Sequence, residues 1–301
     1  MKNINIAFCF DKNLWKQFCV SIISLLTVSK NKCSYNIYTV ISDDITNEIQ
    51  SQIKNIIMQY DNKSKITFLK DNHDFDKHEP GRSAGYFYRI QLIKLAPKVD
   101  KIIYCDIDTV FRKPLIDLYN INMKDKLLYG VKDGINISRY WKKYKTRTDK
   151  KYLSKQGKYI NSGVLLINLK TFRNENIYPK FLKLIGKKLR YQDQDMLNYI
   201  AKNRIGYLPL KYNFTPKGIR HKYYLAYKEN LFSKNEIYDA KKDAVIWHFM
   251  ACNPWKKITK GASIWWKYAH QLNFYKEFKQ NFIKQASLLQ KILFMIIKNA
   301  K

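Results

Sequence analysis

The stretch Lys101-Ile102-Ile103-Tyr104-Cys105-Asp106-Ile107-Asp108-Thr109 decides how the rest of the chain is read. Its apolar, β-branched opening predicts a short buried strand. Two carboxylates, two residues apart, stand at its downstream end. Side chains at that spacing on a strand share a face, so Asp106 and Asp108 can hold one divalent cation while Ile107 turns back to the core. Carboxylate oxygens suit Mn²⁺ or Mg²⁺, which usually complete their shell with substrate phosphates. An ordinary acidic turn shows the same letters, so the pattern gains its force from what flanks it.

Upstream, residues 4–10 predict a first strand that ends in Asp11-Lys12-Asn13. A helical pattern follows over 14–28, with Phe18, Ile22, Leu25 and Leu26 on one face. A second strand covers 35–41, a helix capped within Ser42–Thr46 covers 47–60, and a third strand covers 65–69. Strands alternating with helices imply parallel crossover units in an α/β sheet. Ligands on such sheets sit beyond the carboxyl ends of the strands, which is where Asp11, Asn13, Asp106 and Asp108 fall. Two long polar segments interrupt the pattern. Residues 71–85 carry His73, His78, Pro80, Gly81 and Gly85, and residues 132–159 are rich in Lys, Arg, Tyr and Trp. Both have the character of binding loops or plain surface loops.

Three downstream clusters carry chemistry. Tyr159-Ile160-Asn161-Ser162-Gly163 feeds an apolar strand through Asn168, and Gly163 lets backbone approach a ligand closely. Tyr191-Gln192-Asp193-Gln194-Asp195 opens a helical run, so its polar groups either cap that helix or face a ligand. Val245-Ile246-Trp247-His248-Phe249 delivers one histidine, followed by Asn253-Pro254-Trp255-Lys256-Lys257. A lone His after an apolar strand is more often a satisfied core residue than a ligand, and so needs the other clusters to count.

The chain has 301 residues, 46% apolar and 15% aromatic, which excludes wholesale disorder. Its 56 Lys+Arg against 24 Asp+Glu give a formal charge of +32. Such a field favours an anionic partner: nucleic acid, an acidic membrane or a phosphorylated substrate. Biased codon usage also supplies Lys without function. The five cysteines are scattered, with no Cys-x-x-Cys pair, and read as reduced thiols. The N-terminus runs straight into a strand pattern rather than a signal peptide, and no apolar run is long enough to span a bilayer. A cytoplasmic protein, peripheral on the inner face of the membrane, is expected. From Lys256 to Lys301 ten lysines face one acid, Glu277. Trp265, Tyr268, Leu272, Tyr275, Phe278, Phe282, Ala286, Leu289, Leu293 and Ile296 recur at helical spacing. That pattern suits either an amphipathic helix on an anionic membrane surface or a helix packed on the main domain. The expected division is a domain over 1–260 and a basic, membrane-associating helical segment over 261–301.

Taken together and in this order, the clusters resemble glycosyltransferase family 8, the retaining nucleotide-sugar transferases, over roughly residues 4–257. The resemblance implies a GT-A fold, a Rossmann-like mixed α/β sheet flanked by helices, here with a basic helical C-terminal extension. It implies Mn²⁺, with Mg²⁺ as the second choice, held by Asp106, Asp108 and His248. It places Asp11, Asn13, Arg89, Asp106, Ile107, Asp108, Asn161 and Lys256 around a UDP-sugar donor, with Asp11 and Asn13 toward the uridine. Arg89, Asp193 and Gln194 are the implied catalytic residues beside the transferred sugar. The family often follows its metal histidine with Gly and then Lys-Pro-Trp. This chain instead reads His248-Phe249-Met250-Ala251-Cys252-Asn253-Pro254-Trp255-Lys256, so the diphosphate lysine is missing from its usual place, with Lys256 and Lys257 as substitutes. The implied reaction moves a hexose, galactose before glucose, onto a lipooligosaccharide or other surface-glycan acceptor. The rival from another class is a basic nucleic-acid-binding protein. It explains the charge but not the spaced aspartates with His248, and nucleic acid is not the expected partner. A sugar-binding lectin leaves the same groups unexplained.

Overall fold

In the computed structural model, residues 2–75, 87–133, 138–155, 157–216, 222–250 and 252–299 are described. His78, Pro80, Gly81 and Gly85 of the first polar segment lie outside them. The chain opens with β1 (Lys2–Phe10), α1 (Trp15–Ser29), β2 (Cys33–Ile41), α2 (Asn47–Tyr60) and β3 (Lys65–Lys70). It continues through α3 (Tyr88–Leu95), β4 (Lys101–Cys105), β5 (Thr109–Phe111), α4 (Ile116–Asn120), β6 (Leu128–Lys132), α5 (Ser138–Lys145) and β7 (Ile160–Asn168). Next come α6 (Leu169–Asn174), α7 (Tyr178–Leu182), α8 (Gln192–Ala201), β8 (Ile205–Tyr207), α9 (Lys222–Lys228), α10 (Lys234–Asp243) and β9 (Ile246–His248). The last helices are α11 (Ala262–Ala269), α12 (Tyr275–Gln285) and α13 (Leu288–Asn299).

Seven strands form one mixed sheet in the order β3-β2-β1-β4-β7-β6-β8. The first four in that order run parallel, β7 runs antiparallel to both β4 and β6, and β6 is parallel to β8. The carboxyl ends of β1, β4, β6 and β8 therefore open on one edge, where β7 begins. Period-two alternation sorts the side chains onto two faces. Ile4, Ile6 and Phe8 of β1, Ile103 and Cys105 of β4, and Val164 and Leu166 of β7 join a core shared with α1. Ala7, Ile102, Tyr104, Leu165 and Ile167 point into the opposite core, beneath α3 and α6–α8. The one departure from strand-by-strand expectation is at the metal-site run. β4 stops at Cys105, so Asp106 and Asp108 lie in the turn before β5 rather than on a continuing strand.

The second polar segment is not structureless, since it contains α5 and a short 3-10 turn at Lys150–Tyr152. The C-terminal stripe is split into three helices, with breaks at 270–274 and 286–287. Trp265, Phe278, Phe282 and Phe294 lie in the same core as β1 and α1, so that core runs unbroken across position 261. Trp15 packs on Phe274 at 5.4 Å, and Lys16 pairs with Glu277. Beyond that, α13 turns Leu288, Leu289, Ile292, Met295 and Ile296 to solvent, Leu288 being 76% exposed. No helix among the described residues is long and apolar enough to cross a membrane. All five cysteines are free thiols, and burial pushes that of Cys9 up to about 12.

Candidate active site

The two-stranded ladder of β5 and β9 delivers the histidine. Thr109 pairs with His248 in antiparallel register, which sets the imidazole beside the residue preceding β5. His248 Nε2 lies 3.1 Å from Asp108 Oδ1 and 3.7 Å from Asp106 Oδ2. One ligand atom from each of Asp106, Asp108 and His248 falls within 4.8 Å of the others. The turn at Asp106 is fixed by its own N–H, which donates to the Gly163 carbonyl at 2.8 Å. Thr109 Oγ1 donates back to the Asp106 carbonyl at 2.7 Å. A turn thus performs the convergence expected of a strand.

A hydrogen-bond relay sets the histidine tautomer. The Gly163 N–H donates to Asn161 Oδ1 at 2.9 Å, which fixes which amide atom of Asn161 is the oxygen. Asn213 Nδ2 donates to the same oxygen at 2.8 Å, so Asn213 Oδ1 must face His248 Nδ1, 2.8 Å away. Nδ1 therefore carries a proton, and Nε2 is the ring nitrogen turned to Asp106 and Asp108. This two-oxygen, one-nitrogen set fits Mn²⁺. Gly163 is needed for the same packing. A Cβ there would sit 2.7 Å from Asp106 Oδ2 and clash with the His248 ring. The glycine admits the side chains of His248 and Asp106, where the sequence suggested a ligand.

Arg89, on α3, is the second centre. Its NH2 lies 3.0 Å from Asp106 Oδ1 and its Nε 3.1 Å from Asp193 Oδ2. Its NH1 donates to the Ser162 carbonyl at 2.6 Å and to Ser162 Oγ at 3.0 Å. The guanidinium also stacks 4.5 Å from the Tyr104 ring centre, and Tyr104 donates to Asp106 Oδ1 at 2.7 Å. Burial opposes the charge of Arg89, but Asp106, Tyr104 and Asp193 more than restore it, so its pKa rises. At Asp108 burial likewise opposes the charge, and His248 outweighs it, lowering the pKa.

The two acids of the 193–195 cluster separate in role. Asp195 accepts from Tyr159 at 2.6 Å and from the Tyr191 N–H at 2.9 Å, the capping outcome. Asp193 faces Arg89, and burial pushes its carboxyl up to about 6 although Arg89 pulls the other way. Gln194 is a wall: its Oε1 accepts from the Ser162 N–H at 2.8 Å and its Nε2 donates to Tyr159 at 3.0 Å. Because the folded state holds the Asp193 proton more tightly than the unfolded chain does, its contribution to stability is full below about pH 4 and is lost as pH rises through about 6. Between pH 4 and pH 7.5 Asp193→Asn should therefore gain about 1–3 kcal/mol of stability relative to wild type, over and above a pH-independent cost of leaving buried Arg89 with one partner fewer. Denaturant midpoints at the two pH values measure this.

A cleft of about 330 Å³ is lined by Arg89, Tyr104, Asp106 and Asp108 of these groups. Asp11, Leu14, Arg89, Asp106, Ile107, Asp108, Asn253 and Trp255 are in its lining. Asn161 lies outside this lining, in the relay to His248. Asn13 and Lys256 instead face an adjoining cavity of about 500 Å³ with Lys12, Lys16 and Glu277, which shares Leu14 and Trp255 with the cleft. Sequence reasoning missed Asn213, Ser162 and Tyr104. Asn213 sits in an unremarkable Leu-Lys-Tyr-Asn-Phe run, and its role arises only when β9 and that run meet.

A mixed sheet carrying a carboxylate pair, a histidine and a buried arginine at its carboxyl edge is the architecture of the GT-A glycosyltransferases. Similar solved structures include WbbM, a bifunctional glycosyltransferase (TM-score 0.78, 18% identity, 94% of this chain and 52% of that one). The galactosyltransferase LgtC aligns with a TM-score of 0.69 at 21% identity, over 95% of this chain and 97% of that one. The model of glycosyl transferase family 8 matches residues 5–259, and the chain belongs to that family. A putative glycosyltransferase of Haemophilus influenzae is 29% identical over 84% of this chain and 72% of its own length. A lipopolysaccharide 1,2-glucosyltransferase of Escherichia coli is 28% identical over 70% of this chain and 62% of its own. A lipopolysaccharide 1,3-galactosyltransferase of Salmonella typhimurium is 24% identical over 69% and 63%.

Proposed function

We propose that this glycosyltransferase moves a hexose, galactose before glucose, from a UDP-sugar to a lipooligosaccharide or other surface-glycan acceptor, with retention and with Mn²⁺ as cofactor. The observation that carries the reading is the convergence of His248 on Asp106 and Asp108, the two carboxylates that line one cleft with Arg89. Relatives that act on lipopolysaccharide with glucose or galactose support the acceptor and donor classes. The bound cation would offset charge developing on the departing diphosphate. Arg89 bridges Asp106 and Asp193 and stands in the lining of the cleft. Asp193, anchored on Arg89, is placed to hold sugar hydroxyls. Gln194 has its amide oxygen committed to the Ser162 N–H, and Asp193 has Oδ2 committed to Arg89. These engagements support same-face attack by the acceptor, with the departing phosphate taking its proton, over a covalent sugar adduct on either residue. Donor hydrolysis without acceptor tests the reading across UDP-galactose, UDP-glucose and their N-acetyl forms. Slow UDP release from one hexose donor with Mn²⁺, and none with EDTA, is expected. Tight oligonucleotide binding with no donor turnover would overturn it.

We also assign the outward face of α13 to an anionic bilayer, as a peripheral attachment on the inner membrane face. Its five exposed apolar residues lie in a stretch of sequence that carries Lys284, Lys291 and Lys298, a combination that favours interfacial binding. Leu289→Asp with Ile296→Asp should abolish flotation with phosphatidylglycerol vesicles and leave donor hydrolysis unchanged. Equal flotation of the variant would remove α13 as the contact.

A further inference from the structure

Away from the cleft, one cavity stands apart by its charge. It measures about 270 Å³ and opens between the residues just before β7 and the later part of α8. Lys151, Lys155, Lys158 and Lys202 stand in its lining, which holds no carboxylate among the described residues. Two larger cavities mix their signs. The one between β8 and α10 sets Lys132, Lys211 and Lys242 against Glu236, Asp239 and Asp243, and the one beside α12 pairs Lys16 with Glu277. Mixtures are what a lysine-rich surface gives by chance. Four ammonium groups around one concavity repel one another until an anion joins them. Lys202 also complements the carbonyl end of α8, but Lys155 and Lys158 stand on irregular chain.

A neutral group completes the lining. Ser154 is 7% exposed, and its buried Oγ has no hydrogen-bond partner among the described residues. A hydroxyl left in that state is costly unless a ligand oxygen receives it. The walls are fixed in advance. Asn198, also in the lining, accepts from the Ile160 N–H at 2.8 Å and donates to the Ile160 carbonyl at 2.9 Å, which clamps α8 to the start of β7. The Lys158 N–H donates to the Lys155 carbonyl at 3.1 Å, and Tyr207 donates to the Lys158 carbonyl at 3.3 Å. Tyr199 adds a half-buried ring, set edge-on to Tyr152 at 5.1 Å.

We propose that this cavity is an anion subsite for the acceptor, taking a phosphate monoester carried by the acceptor glycan. Such a group brings about two negative charges and three acceptor oxygens. Lysines bind it as point charges, whereas a planar carboxylate is better matched by a guanidinium fork. Both walls lead into the reacting centre. Lys158 runs directly into Tyr159–Asn161, and α8 opens with Gln192, Asp193 and Gln194. At 1.5 Å per residue, Asn198 and Lys202 lie about 8 and 14 Å along α8 from Asp193. An anion seated there belongs to a part of the acceptor a few sugar residues away from the attacking hydroxyl. Tyr199 offers a ring face to the sugar that bears it. The cavity and the cleft share no described lining residue, so the subsite selects acceptors by charge independently of the donor. This deepens the transferase reading above, and rests on it, by naming the chemistry of the acceptor.

Glucose 6-phosphate titrated into the full chain in EDTA, followed by calorimetry, tests the proposal. Wild type should bind it in a salt-dependent way, and about 3-fold or more tighter than inorganic phosphate. Lys155→Ala with Lys202→Ala should weaken binding about 10-fold, and Ser154→Ala about 3- to 10-fold. Lys30→Ala with Lys63→Ala removes the same charge elsewhere and should stay within about 2-fold of wild type. All four of these lysines are exposed, so both pairs should keep the wild-type circular dichroism. On a phosphorylated oligosaccharide released from lipooligosaccharide, phosphatase treatment should raise the wild-type acceptor KM about 10-fold. It should leave the KM of Lys155→Ala with Lys202→Ala unchanged, and donor hydrolysis should be equal in every variant. Equal weakening in the control pair, or none in the cavity variants, would overturn the subsite. Equal affinity for inorganic phosphate, or a wild-type KM indifferent to phosphatase, would assign the cavity to the free anion and overturn its link to the acceptor. Absence of donor hydrolysis in wild type would instead sink the transferase reading, since the binding titration uses neither donor nor metal.

Discussion

Replacing Asp106 or Asp108 by Asn is expected to abolish Mn²⁺-dependent turnover while the protein stays folded. Each substitution keeps size and hydrogen-bonding capacity but removes the anionic oxygen that a hard cation selects. A metal that offsets leaving-group charge supplies several kcal/mol, and ~4 kcal/mol corresponds to a loss of about 10³-fold. The two variants should differ in stability. Asp106 also pairs with Arg89 at 3.0 Å and accepts from Tyr104, so its neutralisation weakens a buried network. Asp108 faces chiefly His248, 3.1 Å away, and its neutralisation should cost less. Asn213→Ala, which touches neither carboxylate, should lower Mn²⁺ affinity about 10- to 100-fold by releasing the imidazole tautomer. Metal titration followed by circular dichroism separates the three. Turnover in Asp108→Asn within a few-fold of wild type would refute the metal assignment.

The sheet and the Asp106–Asp108 pair were legible because their signals are local. Strand runs and caps lie in consecutive residues, and Thr46 caps α2 by accepting from the Ile49 N–H at 3.3 Å, as its place before an apolar-periodic run predicts. Asp106 and Asp108 announced themselves by spacing, although the geometry that unites them belongs to a turn. What the residues did not show was anything assembled from distant elements. Asn213 acquires its role only where β9 meets the segment before it, and no spacing rule joins positions 213 and 248. The C-terminal stripe left two readings open for a related reason. Helical periodicity reports which residues are apolar, not what covers them, and the same spacing holds for Trp265 in the core and for Leu289 at 65% exposure. Chain breaks at 270–274 and 286–287 divide one pattern between two environments.

Arg89→Met is the other substitution with a large expected effect, and its value lies in separating stability from chemistry. The guanidinium reaches three groups in three directions, Asp106, Asp193 and Ser162, which a single ammonium cannot do, so Arg89→Lys should fail as well. Removing one partner of a buried charge network strands the others, at a cost of about 3–5 kcal/mol. The stranded group here is Asp193, 6% exposed and already unfavourable as an anion. Arg89→Met with Asp193→Asn should therefore recover much of the lost stability, because neither charge remains to be buried unpaired. It should recover no transfer, since donor sugar and diphosphate would have lost both groups that orient them. Additive destabilisation in that double-mutant cycle would show that the two side chains do not share one charge network. Recovery of stability together with activity would show that the pair is scaffolding, and would move the chemistry of this cleft onto the metal ligands alone.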